Sequence, residues 1–168
     1  MMKQIKIIFF ALALMVVSST AFSAGFEFLG PEGDWDVFAD KKSGAQVCYI
    51  ASVPENASHA DRRGEIYVLI TRRAAEGFKD VVSFHQGYPL DTAKEVKVSI
   101  GSKTFLLFAS GETAWAYETK DDIDLVKAMK AGSTMKVEAM SSRGTATTDN
   151  YSLGGITAAY NKMAAACK

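Results

Sequence analysis

Only two cysteines occur in the 168 residues, Cys48 and Cys167, and they flank nearly everything that reads as folded chain. Near the second, Leu153, Ile156, Tyr160, Met163 and Cys167 recur at spacings of three and four, so they share one face of a helix predicted over residues 153–166. Cys48 lies in the apolar run 47–53, which reads as a strand. A Cys48–Cys167 bond would pin the last helix onto that strand and close the intervening chain into one unit. The competing reading is two separate buried thiols, since unpaired cysteine is also commonly buried.

The first residues bear on that choice. Lys3 and Lys6 precede an uncharged apolar block over 7–17 and then Ser18, Ser19, Thr20 and Ala21. This is the three-part pattern of a secretory signal peptide. The block is about half the roughly 20 residues that a membrane-crossing helix needs. Ser19 and Ala21 fit cleavage after Ala21; a cut after Ala24 would place bulky Phe22 at the third position back. The expected product is one domain over 22–168, periplasmic or secreted, without a transmembrane segment. Outside the inner membrane the compartment is oxidising, which favours the disulfide.

Loss of Lys3 and Lys6 leaves 17 basic against 19 acidic residues, a net charge of −2. The basic residues are scattered apart from Arg62, Arg63 and Arg72, Arg73, so no nucleic-acid partner is implied. Both pairs read as solvated strand ends.

Taken in order, residues 22–34 mix glycine, proline and isolated aromatics and read as an extended lead-in. Trp35, Val37 and Ala39 begin the first strand with Trp35 inward. Residues 40–44 read as a polar turn, and 45–53 as a strand covered on both sides. An exposed loop over 55–64 follows, then strands over 66–71 and 81–86. Val96, Val98 and Ile100 alternate up to Gly101-Ser102, and residues 103–108 return, which predicts a hairpin with Gly101 at the positive φ of a type II′ turn. A strand over 113–117 leads to a helix over 122–131, capped by Asp121 or Asp122, with Ile123, Val126 and Met129 as its apolar stripe and Gly132 as a left-handed stop. Strands over 135–139 and 145–151 precede the terminal helix, with Ser152 as its cap. Because strands mostly follow one another directly, the fold class is mainly β: an antiparallel β-sandwich or partly closed β-barrel with a short helix and a C-terminal helix packed on it.

Chemistry-bearing groups are sparse. His59 and His85 stand in different segments without a second ligand at suitable spacing, so no metal and no cofactor is expected. Asp121, Asp122 and Asp124 lack the glycine and later glutamate of a calcium loop. There is no G-x-S-x-G elbow, and Gly154-Gly155 lacks the lysine of a phosphate loop. No catalytic residue is assigned; a general base at His85 would need an oriented partner that the sequence does not identify. The segment 141–155, S-S-R-G-T-A-T-T-D-N-Y-S-L-G-G, reads chiefly as structure: a turn at Ser142, Arg143 and Gly144, an Arg143–Asp149 pair across the hairpin, and two small glycines that let the helix approach the sheet. On that reading Arg143→Ala changes neither folding nor partner capture. The functional alternative is an arginine in a hydroxyl-rich turn that recognises an anion.

Four stretches taken together resemble the invasion-associated locus B family of exported bacterial proteins. They are W-D-V with V-C-Y-I, G-Y-P-L around Tyr88, T-A-W-A around Trp115, and the segment 141–155 followed by the terminal cysteine. The resemblance implies a β-rich periplasmic or envelope protein of a Gram-negative bacterium, from a family named for members linked to host-cell invasion. It brings no catalytic residues. Three functions follow as expectations. The first is a non-enzymatic envelope or secreted protein that binds an envelope or host macromolecule. The second is a small-ligand carrier with Trp115, Tyr117 and Tyr88 lining a barrel mouth. The third is a hydrolase centred on His85. Tyr88, Trp115, Tyr117 and Arg143 are the candidate contact residues.

Overall fold

A computed structural model of the chain describes residues 25–40, 47–73, 76, 77 and 79–167. The leader, its cleavage point and most of the 40–44 turn lie outside the described residues. The elements are β1 (Glu27–Glu32), β2 (Trp35–Asp40), β3 (Val47–Ser52), β4 (Asn56–Ala57), a 3₁₀ turn (Ala60–Arg62), β5 (Tyr67–Arg73), β6 (Lys79–His85), β7 (Val96–Ile100), β8 (Lys103–Ser110), β9 (Thr113–Trp115), α1 (Thr119–Ala131), β10 (Thr134–Met140), β11 (Ala146–Ser152) and α2 (Ile156–Ala166).

All strands join one antiparallel sheet in the order β1-β2-β3-β5-β6-β9-β8-β7-β10-β11-β4. The sheet does not close, since β1 and the two-residue β4 form its edges. The residues read as a lead-in contribute β1, paired with β2 through a register shift between Phe28 and Gly30. A bulge and Pro31 on that strand discourage pairing with another chain. At the hairpin, Ile100 faces Lys103 and Gly101 has φ +57°.

Period-two alternation places one side of the sheet in a common core with the helices. Val37, Ile50, Ile70 and Val82 lie opposite one another across β2, β3, β5 and β6, and all four are fully buried. Each such side chain contributes about 1.5–3 kcal/mol by leaving water. β3 alternates between buried and half-buried positions, so it is not covered on both sides. Its other face keeps Tyr49 stacked on Phe38 of β2, with ring centroids 4.8 Å apart. Trp35 is fully buried, as its inward reading requires.

α1 begins three residues before its predicted start, after Glu118, whose side chain makes no cap. Asp121 and Asp122 occupy the first turn instead. Ile123 is exposed, and the covered face is Asp122, Leu125, Val126, Ala128 and Met129. Gly132 is extended, at φ −93°, rather than left-handed; a Cβ there would come within 2.5 Å of Ile100 Cγ2, so close packing explains the glycine. Asp122 has another task. β9 pairs with β6 only from Ser83 to His85, and Asp122 Oδ1 accepts the Val82 N–H at 2.9 Å where that ladder has stopped.

α2 packs on β1, β2 and β3, and α1 packs on β6 and β8. Gly155 precedes α2 with φ +88°, and an added Cβ would lie 2.0 Å from the Glu32 carbonyl oxygen. The close approach expected of this glycine pair is therefore present. Leu153, Ile156, Met163 and Cys167 are buried, with Tyr160 half-buried beside them. Cys167 is disulfide-bonded to Cys48, with Cα atoms 5.8 Å apart and a sequence separation of 119. Nearby, Tyr160 donates to Asp80, which is also paired with Arg72 at 2.8 Å, so Arg72 is no solvated strand end.

Two predictions follow from this packing. Replacing both cysteines by serine should cost about 2–5 kcal/mol, a large part of the roughly 5–15 kcal/mol typical of a domain, and denaturant melts of oxidised wild type and variant measure it. The second concerns Asp122. Burial raises its carboxyl above the ordinary aspartate range; the Val82 N–H opposes this, and Asp121 and Asp80 add to it. Folding thus favours the protonated form, whose contribution is present below the ordinary aspartate pKa and lost as pH rises through the raised one. Asp122→Asn, which keeps an acceptor for Val82, should therefore raise the melting temperature at pH 7, with the gain shrinking as the pH falls toward the ordinary aspartate range.

Candidate functional site

Alternation along β11 puts Thr147, Asp149 and Tyr151 on the inward side, where all three are buried. A carboxylate there requires a partner. It is Arg63, from the connection between β4 and β5, and not Arg143. Arg63 Nη1 and Nη2 reach Asp149 Oδ1 and Oδ2 at 2.6 and 2.7 Å, a bidentate pair with side chains 3% and 0% exposed. The other donors of the guanidinium go to the Gln86 carbonyl at 2.9 Å, the Ser58 carbonyl at 3.1 Å and Gln86 Oε1 at 3.3 Å. All five N–H groups are used. Three expectations are corrected here: Asp149 pairs with Arg63 and not with Arg143, Arg63 is not a solvated strand end, and residues 55–64 are not simply an exposed loop. β4 pairs with β11, and Ser58 Oγ accepts the Thr148 N–H at 2.8 Å.

Outward from this pair, the Arg63 guanidinium lies 5.0 Å over the Tyr88 ring, and the Tyr88 hydroxyl is hydrogen-bonded to Thr147 Oγ1. Burial chiefly raises the Tyr88 phenol above its ordinary pKa, while Thr147 and Arg63 oppose the shift. The Tyr151 phenol is driven up further, by deeper burial and by Asp149. Gly87 has φ +69° and its carbonyl accepts the Gly64 N–H at 2.8 Å; a Cβ on Gly87 would come within 2.7 Å of the Gly64 oxygen. Ser142 N–H in turn bonds the Pro89 carbonyl at 2.8 Å. These contacts fix three connections around a cleft of about 410 Å³.

The β4–β5 connection brings His59 and Arg62 to the lining, the more buried Arg63, Tyr88 and Thr147 form its floor, and Ser141, Ser142, Arg143 and Thr145 of the β10–β11 turn complete it with Glu112. Arg62 lies 3.4 Å from Asp61, both strongly exposed, a pair worth about 0–1 kcal/mol. Arg143 is exposed and has no ion pair or hydrogen bond among the described residues. His59 has φ +54°, the one non-glycine residue with positive φ among those described. Ser152 Oγ accepts the Gly154 N–H at 3.1 Å, while α2 itself starts after Gly155 with no side-chain cap.

Of the four predicted contact residues, Tyr88 and Arg143 share this cleft, and Trp115 and Tyr117 do not. Trp115 is half-buried on β9 opposite Ser83 and Phe108. Tyr117 is exposed against Phe108, its hydroxyl donating to Glu95 at 3.1 Å. The open sheet thus gives no barrel mouth shared by the three aromatics. His85 has a hydroxyl and a carboxylate in reach, with Nδ1 3.2 Å from Thr113 Oγ1 and Nε2 3.5 Å from Glu112 Oε2. His85 and Thr113 are directly opposed in the β6–β9 ladder, which accounts for the first contact, and His85 stacks on Tyr67 at 4.8 Å. Among the described residues no group of three or more acidic, histidine or cysteine side chains is placed to hold a metal.

The family model described as invasion associated locus B (IalB) protein matches residues 35–164, from the buried Trp35 to the last turn of α2 and including the whole cleft. This chain belongs to the IalB family. The crystal structure of invasion associated protein B from Bartonella henselae is similar with a TM-score of 0.57 at 17% identity, over 81% of this chain and 95% of that one. At that identity the likeness shows the fold. No curated protein sequence matches the chain. Within the IalB frame, two of the stretches that carried the resemblance, Gly87-Tyr88-Pro89-Leu90 and the turn at Ser141–Thr145, contribute to the lining of the cleft.

The buried pair gives a test by paired substitution. Asp149→Asn should cost about 3–5 kcal/mol because Arg63 is left charged and unpaired, whereas Arg63→Met combined with Asp149→Leu should cost clearly less than the two single changes together. Urea unfolding of the wild type, Asp149→Asn, the singles Arg63→Met and Asp149→Leu, and their double measures the difference.

Proposed function

We propose that this IalB-family protein is an exported, non-catalytic binding protein that engages an envelope or host macromolecule through the cleft between the β4–β5, β6–β7 and β10–β11 connections. The observation that carries the reading is the contrast between two sets of arginines. Arg63 is consumed by Asp149 in the floor, while Arg62 and Arg143, from two different connections, stand exposed in the lining with their charge weakly paired or unpaired. A rigid floor beneath free cationic side chains lowers the cost of ordering on binding.

The disulfide and the family's exported character are consistent with a place outside the cytoplasm, periplasmic or secreted, and no helix among the described residues is long and apolar enough to cross a membrane. A host-surface partner would agree with the name of the family and of the Bartonella henselae protein. The shared core from β1 to α2 supports a single domain over 22–168. The carrier reading is weaker because charges and hydroxyls line the cleft. The hydrolase reading rests on Glu112 and Thr113 beside His85, a cluster in which only Glu112 reaches the cleft.

Arg143→Ala should abolish capture of the partner from envelope or host-surface extracts while leaving the melting temperature within about 1 °C, since exposed substitutions usually change stability by under about 0.5 kcal/mol. Undiminished capture by this variant would overturn the cleft reading.

A further inference from the structure

The chemistry of the lining narrows what enters the cleft. Three arginines lie at it, but Arg63 is neutralised by Asp149. Glu112, the carboxylate of the lining, sits 3.5 Å from His85 Nε2. Arg62 is 3.4 Å from Asp61, which does not line the cleft, and Arg143 has no protein partner among the described residues. Even with Glu112 counted at its full negative charge, the two exposed guanidinium groups leave the lining net positive, and their planar donor forks suit carboxylate and phosphate oxygens.

The remaining groups suit a polyol. Ser141 Oγ accepts the Thr145 N–H and Thr147 Oγ1 bonds Tyr88, so both are engaged. The Ser142 and Thr145 hydroxyls have no protein partner among the described residues and face no such competition. Tyr88 and Pro89 add an apolar strip for ring carbons. A volume of about 410 Å³ lies at the small end of ligand sites and matches a terminal sugar unit or two rather than a polymer groove. Two exposed arginines from separate connections also differ from the row of cations that tracks nucleic-acid phosphates.

We propose that the cleft recognises an anionic sugar, a carboxylated or phosphorylated unit at the end of a glycan, with Arg62 and Arg143 clamping the oxyanion and Ser142 and Thr145 bonding ring hydroxyls. The ligand class rests on the reading of the cleft as the binding site and specifies it. Arg63 and Asp149 hold the floor and touch no ligand.

Titration calorimetry of the protein with galacturonate, glucose 6-phosphate, inorganic phosphate and glucose tests this, with the two anionic sugars separating carboxylate from phosphate as the oxyanion. At least one of them should bind more tightly than both inorganic phosphate and glucose. Arg143→Gln and Arg62→Gln should each weaken it about ten- to a hundred-fold, the loss of a charge-assisted hydrogen bond, at unchanged melting temperature. Ser142→Ala should weaken the sugar and leave phosphate alone. Equal binding of glucose, phosphate as tight as either sugar, or unchanged affinity in the arginine variants would overturn the proposal. The capture assay separates its failure from that of the broader reading. If neither sugar binds or competes, yet Arg143→Ala still loses the macromolecule, the anionic-sugar class is wrong and the cleft stands. If neither sugar binds and Arg143→Ala captures normally, both fall.

Discussion

An open sheet of eleven strands leaves the relative placement of its far parts to whatever crosses between them without a ladder, and in this protein the buried Arg63–Asp149 pair makes that crossing. Asp149 belongs to β11, next to one edge, whereas Gln86, which receives two further bonds from the same guanidinium, follows β6 in the middle of the strand order. Desolvating both charges is expensive, and a lone bidentate contact does not offset it. Using all five guanidinium N–H groups changes the balance, because no donor is left stranded. The pair then does what an apolar contact of equal volume could not: its planar geometry fixes the angle as well as the distance between the segments.

The disulfide fastens the other side of the molecule by a different means. Cys48 faces Arg72 across the β3–β5 ladder, and Cys167 at the end of α2 meets it there. Its stabilisation falls mainly on the unfolded chain, where it removes freedom from a loop of 119 positions, while Gly155 and Glu32 set how closely α2 can lie on β1. One lock thus limits what the unfolded chain can do, and the other specifies the native arrangement. The cleft sits over the second.

Most of the strands, the Gly101 hairpin, the disulfide and the apolar face of α2 were legible in the sequence because each depends on local alternation or on a count of two cysteines. Helix ends were less so. The cap of α1 was assigned to Asp121 or Asp122 from local chemistry, but Asp122 is drawn to the Val82 N–H, a tertiary demand created where β9 stops short. The same competition moved the stripe of α1 from Ile123 to Leu125 and Ala128, since the face that meets β6 is set by Asp122. β1 was missed because its glycine and proline read as punctuation, although both are compatible with a bulged edge strand.

Half of the candidate site was visible, and the reason lies in one misassigned partner. Tyr88 was singled out with Trp115 and Tyr117 as an aromatic of a barrel mouth, and Arg143 as an arginine among hydroxyls, which is a local signal. The buried Arg63–Asp149 pair of the floor was not seen, because pairing Asp149 with Arg143 across a short hairpin satisfied both charges on the surface. Period-two alternation already argued otherwise: with Tyr151 and Thr147 inward, Asp149 must also point inward, and Arg143 at the turn has no such obligation. An inward carboxylate in a strand demands a cation that can be buried with several acceptors, and residues 62 and 63 were among the arginines read only as solvated strand ends. Assigning Arg63 to the core frees Arg143 for the solvent, and a free guanidinium held over a rigid floor is what turns a structural hairpin into a surface able to select an anion.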